Sequence, residues 1–161
     1  MKQRSQEEEP RRARDLTLRD RAWRSIMETH GAIVPKLDND LQEKSGIDIQ
    51  TYDVLLHVFE AAEQGIRMAD LAAAVVISKS GITSLVDRLE ASAYLQRNPD
   101  RDDRRATRIT LTASGEVTFR AAAQVHLAGI EEHFASHISD EEARCIADSL
   151  ERVCHCDQTQ S

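Results

Sequence analysis

The residues best suited to chemistry lie between positions 77 and 108, where seven Lys or Arg stand against five Asp or Glu. The whole chain is the opposite, with 28 acidic against 21 basic residues and a net charge of −7. Binding a polyanion needs a local basic footprint rather than a basic total, so the overall balance does not exclude nucleic acid. Ser78, Lys79, Ser80, Thr83 and Ser84 gather near the start of this stretch. Their hydroxyls can donate to or accept from base edges, and Lys79 can reach a guanine or a phosphate. Arg88, one turn further on, suits a backbone phosphate. Arg101, Arg104 and Arg105 then alternate with Asp100, Asp102 and Asp103. An arginine is drawn into a narrow minor groove by the negative potential concentrated there.

A second set, Trp23, His30, Asp53, His57 and Arg97, has the groups that an anionic or aromatic effector requires: a flat apolar wall, a cationic partner and polar anchors. Trp23 and His30, seven apart, share a helix face, as do Asp53 and His57, four apart. A salt bridge between Asp53 and Arg97 would let a ligand that competes for Arg97 move the segment behind it. A core tryptophan, satisfied histidines and a structural ion pair account for the same residues equally well. Cys154-His155-Cys156, and His126, His133 and His137 with Cys145, are the metal or redox candidates. Cys-x-Cys with a histidine between is not a closed zinc spacing, and surface histidines are the commoner explanation of the other set, so no metal and no cofactor is expected. No Gly-rich phosphate loop or nucleophile and base arrangement is present, and an enzyme is not expected.

The elements that must position these groups follow from periodicity. Ile82, Leu85, Val86 and Leu89 form one apolar helix face behind a Ser78 cap. Tyr94 and Leu95 lead into a strand, Asn98-Pro99-Asp100 begins a charged turn, and Ile109 and Leu111 alternate with polar residues on the return. A polar-faced helix followed by an arginine-tipped hairpin outlines a winged helix-turn-helix. Residues 1–15 read as a flexible arm. Residues 16–50 read as an N-terminal helix in which Trp23, Ile26, Met27, Val34, Leu37 and Leu41 share a face, with an interruption expected at Gly31 or Pro35. Residues 51–112 form the DNA-binding domain, beginning with an almost wholly apolar helix and including the one-bridge strand Ile66-Arg67. Residues 113–161 supply two more helices. Thr112 caps the first, with Val117, Ala121, Val125 and Ala128 on its stripe, and Ser139 to Glu142 is a capping box for the second, with Ile146, Leu150 and Val153 facing inwards. The fold class is therefore mainly α with a small β-wing. Apolar surface on the terminal helices exceeds what this head can cover, which points to dimerisation.

Met68-x-x-Leu71-Ala72, the 78–89 helix, Arg97-x-Pro99-x-x-x-Asp103-Arg104-Arg105 and Leu111-Thr112-x-x-Gly115 together resemble the MarR family of bacterial transcriptional regulators across about residues 16–155. The resemblance implies a homodimer that binds a pseudo-palindromic DNA operator, usually as a repressor, with Arg105 in the groove and Asp103 bracing it. Ala22-Trp23-Arg24 and Tyr52-Asp53-Val54-Leu55 resemble the urate-responsive, PecS-like branch, in which Trp23, Asp53 and Arg97 fall at ligand-sensing positions. The chain departs from that branch at Ser84-Leu85, where a second arginine is expected, and at Ala93, where glycine is usual. The expected partners are operator DNA, a second copy of the chain and a small effector. A redox- or metal-responsive regulator of the same fold, or a helical interaction module without DNA binding, are the alternatives. Three cysteines with no framework fit a reduced, cytoplasmic setting, and no apolar run reaches the roughly 18 residues of a membrane helix.

Overall fold

The computed structural model describes residues 17–75, 79–100 and 106–155. They fall into two units, one ending at Pro35 and the other beginning at Lys36. Helix α1, Leu18–Ser45, begins in the first unit. Thr17 and Asp20 form a reciprocal cap there: the Thr17 N–H donates to Asp20 Oδ2 (2.9 Å) and the Asp20 N–H to Thr17 Oγ1 (3.2 Å). Leu18, Trp23 and Met27 are exposed on this unit. No break occurs at Gly31 or Pro35, since α1 is one helix through both. Pro35 removes one backbone hydrogen bond, and the burial of Leu37 and Leu41 just beyond it offsets that loss.

The second unit holds the core. Helix α2, Ile49–Glu60, starts where Asp48 Oδ1 accepts the Thr51 N–H at 2.7 Å, and it buries Tyr52, Val54, Leu55 and Val58. A 3-10 turn, Ala62–Gln64, leads to Gly65 at φ +65°, where a Cβ would come within 2.6 Å of the Ile109 carbonyl oxygen. Only glycine fits this close, left-handed approach. Then come β1 (Ile66–Arg67), α3 (Met68–Ala74), α4 (Lys79–Ala91), β2 (Leu95–Pro99) and β3 (Thr107–Leu111). The three strands form an antiparallel sheet in the order β1-β3-β2, with Ile66 opposite Ile109 and Arg97 opposite Ile109 on the other side.

Helix α5 is Ala113–His133, capped by Thr112 Oγ1 accepting the Gly115 N–H at 3.0 Å. Its buried residues are Gly115, Phe119, Ala122 and Gly129; of the expected stripe, Val125 is partly buried against the core, whereas Val117, Ala121 and Ala128 are exposed. Small residues define this face because neighbours approach closely. A Cβ on Gly129 would lie 2.7 Å from Leu37 Cδ2. The last helix, α6 (Asp140–His155), has its expected capping box, with Ser139 N–H to Glu142 Oε2 at 2.9 Å and Glu142 N–H to Ser139 Oγ at 3.3 Å. Ile146, Leu150 and Val153 are exposed in the single chain instead of facing inwards. No helix among the described residues is long and apolar enough to cross a membrane.

Candidate nucleic-acid interface

Helix α4 is set by its apolar face. Ile82, Leu85, Val86 and Leu89 are all at most 5% exposed, each burial being worth about 1.5–3 kcal/mol. The opposite face is then obliged to look outward, and it carries Thr83, Ser84, Asp87 and Arg88. Lys79 and Ser80 form the first turn of the same helix. Arg88 Nη2 lies 3.6 Å from Asp48 Oδ2, an exposed pair weak enough to yield to a phosphate. Ser78, Arg101, Asp103, Arg104 and Arg105 lie outside the described residues.

The helix ends in a Schellman motif: the Tyr94 N–H donates to the Leu89 carbonyl and the Ala93 N–H to the Glu90 carbonyl, both at 2.9 Å. Ala93, at φ +58°, takes the left-handed position that normally belongs to glycine. Its carbonyl accepts from Thr112 Oγ1 (2.5 Å) and Ser114 Oγ (2.6 Å), so the start of α5 holds the end of α4. Gly115 is necessary here, because a Cβ would overlap the Tyr94 carbonyl oxygen.

Two ion clusters fix the wing strands. Arg97 on β2 donates to Asp87 Oδ1 at 2.6 Å and to Glu90 Oε2, both on α4. Its guanidinium is held above its ordinary value, chiefly by the Asp87 hydrogen bond. The Asp53–Arg97 salt bridge weighed from sequence does not form. The carboxylates seven and ten residues back on α4 are the ones that β2 brings within reach, and Asp53 lies instead 3.6 Å from His57, with His57 also 3.7 Å from Glu60. Asp100, read from sequence as part of a charged turn, is 3% exposed and takes the Nε donors of Arg67 and Arg108, each at 2.9 Å. Sequence reasoning missed this role; the available signal was an aspartate just after Pro99 with an arginine on each of the other two strand segments, Arg67 and Arg108.

The sensing candidates are only partly assembled. Asp53 and His57 are neighbours, Arg97 is engaged elsewhere, and Trp23 and His30 are exposed on the N-terminal unit. None of the five lines the open groove of about 1180 Å³ bounded by Phe59, Glu60, Gln96, Asn98, Arg108 and Thr110. His126 packs its ring 4.4 Å from that of Tyr52, with Nδ1 buried and unpartnered, while His133 Nε2 lies 3.2 Å from Asp40 Oδ2. Among the described residues no three His, Cys, Asp or Glu side chains are grouped to hold a metal ion, and Cys145 and Cys154 are exposed free thiols.

A model of the MarR family matches residues 45–106, which run from the end of α1 through the first wing strand. The chain resembles the transcriptional regulator PecS of Dickeya dadantii, 30% identical over 111 residues, or 68% of this chain and 66% of PecS. Among solved structures it is similar to Sco3205, a MarR family transcriptional regulator from Streptomyces coelicolor in complex with DNA, with a TM-score of 0.78, 26% identity and 92% and 91% of the two chains covered. The chain belongs to the MarR family. CouR from Rhodococcus jostii RHA1, bound to p-coumaroyl-CoA, is a further structural neighbour (TM-score 0.74, 25% identity, 86% and 95% covered). The match to the regulator PrsX of Escherichia coli, 33% identical over 70 residues, covers 44% of this chain and 42% of PrsX, less than half of that relative's length. MarR family relatives are transcriptional regulators rather than enzymes, in agreement with the sequence expectation.

Proposed function

We propose that this chain is a DNA-binding transcriptional regulator that works as a homodimer on a pseudo-palindromic operator in the cytoplasm, usually repressing. Helix α4 enters the major groove, with Lys79, Ser80, Thr83 and Ser84 toward the bases behind the Ser78 cap, and Arg88 on a phosphate. The 101–105 segment reaches the adjacent minor groove, led by Arg105 with Asp103 as its brace and Arg101 and Arg104 beside it. The observation that carries this reading is the exposed hydroxyl-and-arginine face of α4 beside a wing tied to the same helix through Arg97. The DNA complex of the similar Sco3205 supports it. Exposed Ile146, Leu150 and Val153 on α6, and exposed Leu18, Trp23 and Met27 on the N-terminal unit, favour a second copy as partner. The residue ranges 16–50 and 113–161 are then the dimerisation segments around the 51–112 head.

A small aromatic or anionic effector completes the reading, sensed through Trp23, His30, Asp53, His57 and Arg97, as the PecS likeness and the ligand in CouR encourage. An anion that draws Arg97 from Asp87 and Glu90 would loosen the wing from α4 and release DNA. The test is a footprint on the chain's own upstream promoter, repeated with urate, simple aromatic acids and peroxide. Protection that falls steeply with added salt is expected, because phosphate neutralisation releases counterions. No protection at low salt on any fragment refutes DNA binding. In the Arg97→Gln variant the effector should no longer change the footprint, and an unchanged response removes Arg97 from the sensor.

A further inference from the structure

Asp100 closes β2 and is withdrawn from solvent, its side chain fully covered. Its backbone N–H donates to the Ala106 carbonyl at 3.0 Å, extending the β2–β3 ladder by one step. Its Oδ2 receives both Arg67 Nε and Arg108 Nε. Arg108 in turn donates through Nη1 to the carbonyls of Gly65 (3.0 Å) and Gln64 (3.3 Å). One covered carboxylate thus fastens three pieces of chain: the root of the wing, the returning strand, and the 64–67 segment that runs directly into α3, whose N-cap is Arg67. Such a group is weak evidence for stability, since well-packed apolar residues would do as well. What an ionic trio adds is direction, because guanidinium donors hold a carboxylate in fixed geometry.

We propose that Asp100 is a positioning residue for DNA recognition: covered and unable to touch DNA itself, it sets the wing relative to the helix-turn-helix by holding Arg67 and Arg108. This rests on the DNA-binding reading above. The two explanations of Asp100 differ in sign. If the carboxylate acts only as a charge, removing it beside a polyanion tightens DNA binding. If it positions the wing, removing it weakens binding and flattens the salt dependence, since wing contacts with the backbone are lost.

The experiment compares wild type with Asp100→Asn on a promoter fragment that wild type protects, measuring affinity across a salt series together with the footprint. We expect binding about tenfold weaker, a shallower salt slope, and loss of minor-groove protection beside a retained major-groove footprint. A merely structural residue would lower the melting temperature without selectively erasing the wing's protection. Tighter or unchanged binding by a folded Asp100→Asn protein, with the wing footprint intact, overturns the proposal. Should that variant fail to fold, Arg67→Gln leaves Asp100 paired with Arg108 and must show the same selective loss, partly restored in Arg67→Lys; an intact wing footprint in Arg67→Gln also overturns it. Absence of wild-type binding would instead refute the DNA reading.

Discussion

Replacing Ala93 by glycine should stabilise the protein. Ala93 sits at φ +58° between α4 and β2, and four hydrogen bonds around it leave no alternative conformation: its own N–H to Glu90, the Tyr94 N–H to Leu89, and Thr112 Oγ1 and Ser114 Oγ to its carbonyl. A left-handed backbone costs an L-residue about 1–2 kcal/mol. Glycine avoids that cost but surrenders about 0.5–1 kcal/mol more chain entropy on folding than alanine. The difference is a gain of about 0.5–1 kcal/mol, or a rise of about 1–4 °C in melting temperature for a chain of this size. Urea unfolding of wild type and Ala93→Gly, read by circular dichroism, should show a higher midpoint with an unchanged slope. Ala93→Val should move the midpoint the other way, since a β-branched residue tolerates this region least. A lower midpoint for Ala93→Gly would mean that Ala93 is not strained, and the account of this junction would fail.

Gly115→Ala should destabilise by about 1–3 kcal/mol, because its Cβ overlaps the Tyr94 carbonyl oxygen and backbone must move; an unaltered urea midpoint would show that the α5 start does not press on this turn. His126 carries a pH dependence. Burial against Tyr52 lowers its imidazole from the ordinary 6.5, a shift that the nearby Asp53 charge opposes. The unfolded chain therefore takes up a proton that the native state resists, so the stability from neutral His126 is complete above about pH 6.5 and is lost as pH falls through the lowered native value. His126→Phe should flatten the fall in melting temperature below about pH 6.5. Identical slopes for the two proteins would remove His126 from the acid response.

Much of the architecture was legible because it depends on local pattern. The apolar spacing of Ile82, Leu85, Val86 and Leu89 orients α4, and Thr112 and the Ser139–Glu142 box mark helix starts that are chemically local. Where reading failed, the deciding partner was remote or nearly featureless. Asp100 looks solvated beside Arg101 and Asp102, and only folding brings Arg67, 33 residues away, onto its carboxylate. The packing face of α5 sets one large residue, Phe119, among Gly115, Ala122 and Gly129, whose value lies in the bulk they lack, so periodicity of large apolar side chains did not mark it. The five sensing candidates show the same limit: the i,i+4 pair Asp53 and His57 is local and is found together, whereas Arg97 answers to α4.

The polar ties of the head share one region. Arg97 ties β2 to α4, Asp100 ties the wing root to β3 and the entry of α3, and Ala93, Thr112 and Ser114 join the end of α4 to the start of α5. Each tie crosses from the helix-turn-helix to its neighbour, and each uses fixed donors and acceptors rather than apolar area. A two-groove reader needs the distance between helix and wing settled before it meets DNA, since ordering them on binding would consume affinity. Apolar packing alone would let the hairpin rock about Leu95 and Ile109, which are buried but carry no directional bond of their own side chains. The same logic explains how an effector could act without a large movement. Arg97 is held by Asp87 and Glu90, and Asp100 holds Arg67 and Arg108, so an anion that weakened either cluster would loosen the wing root without disturbing the shared core of α2, α4 and α5.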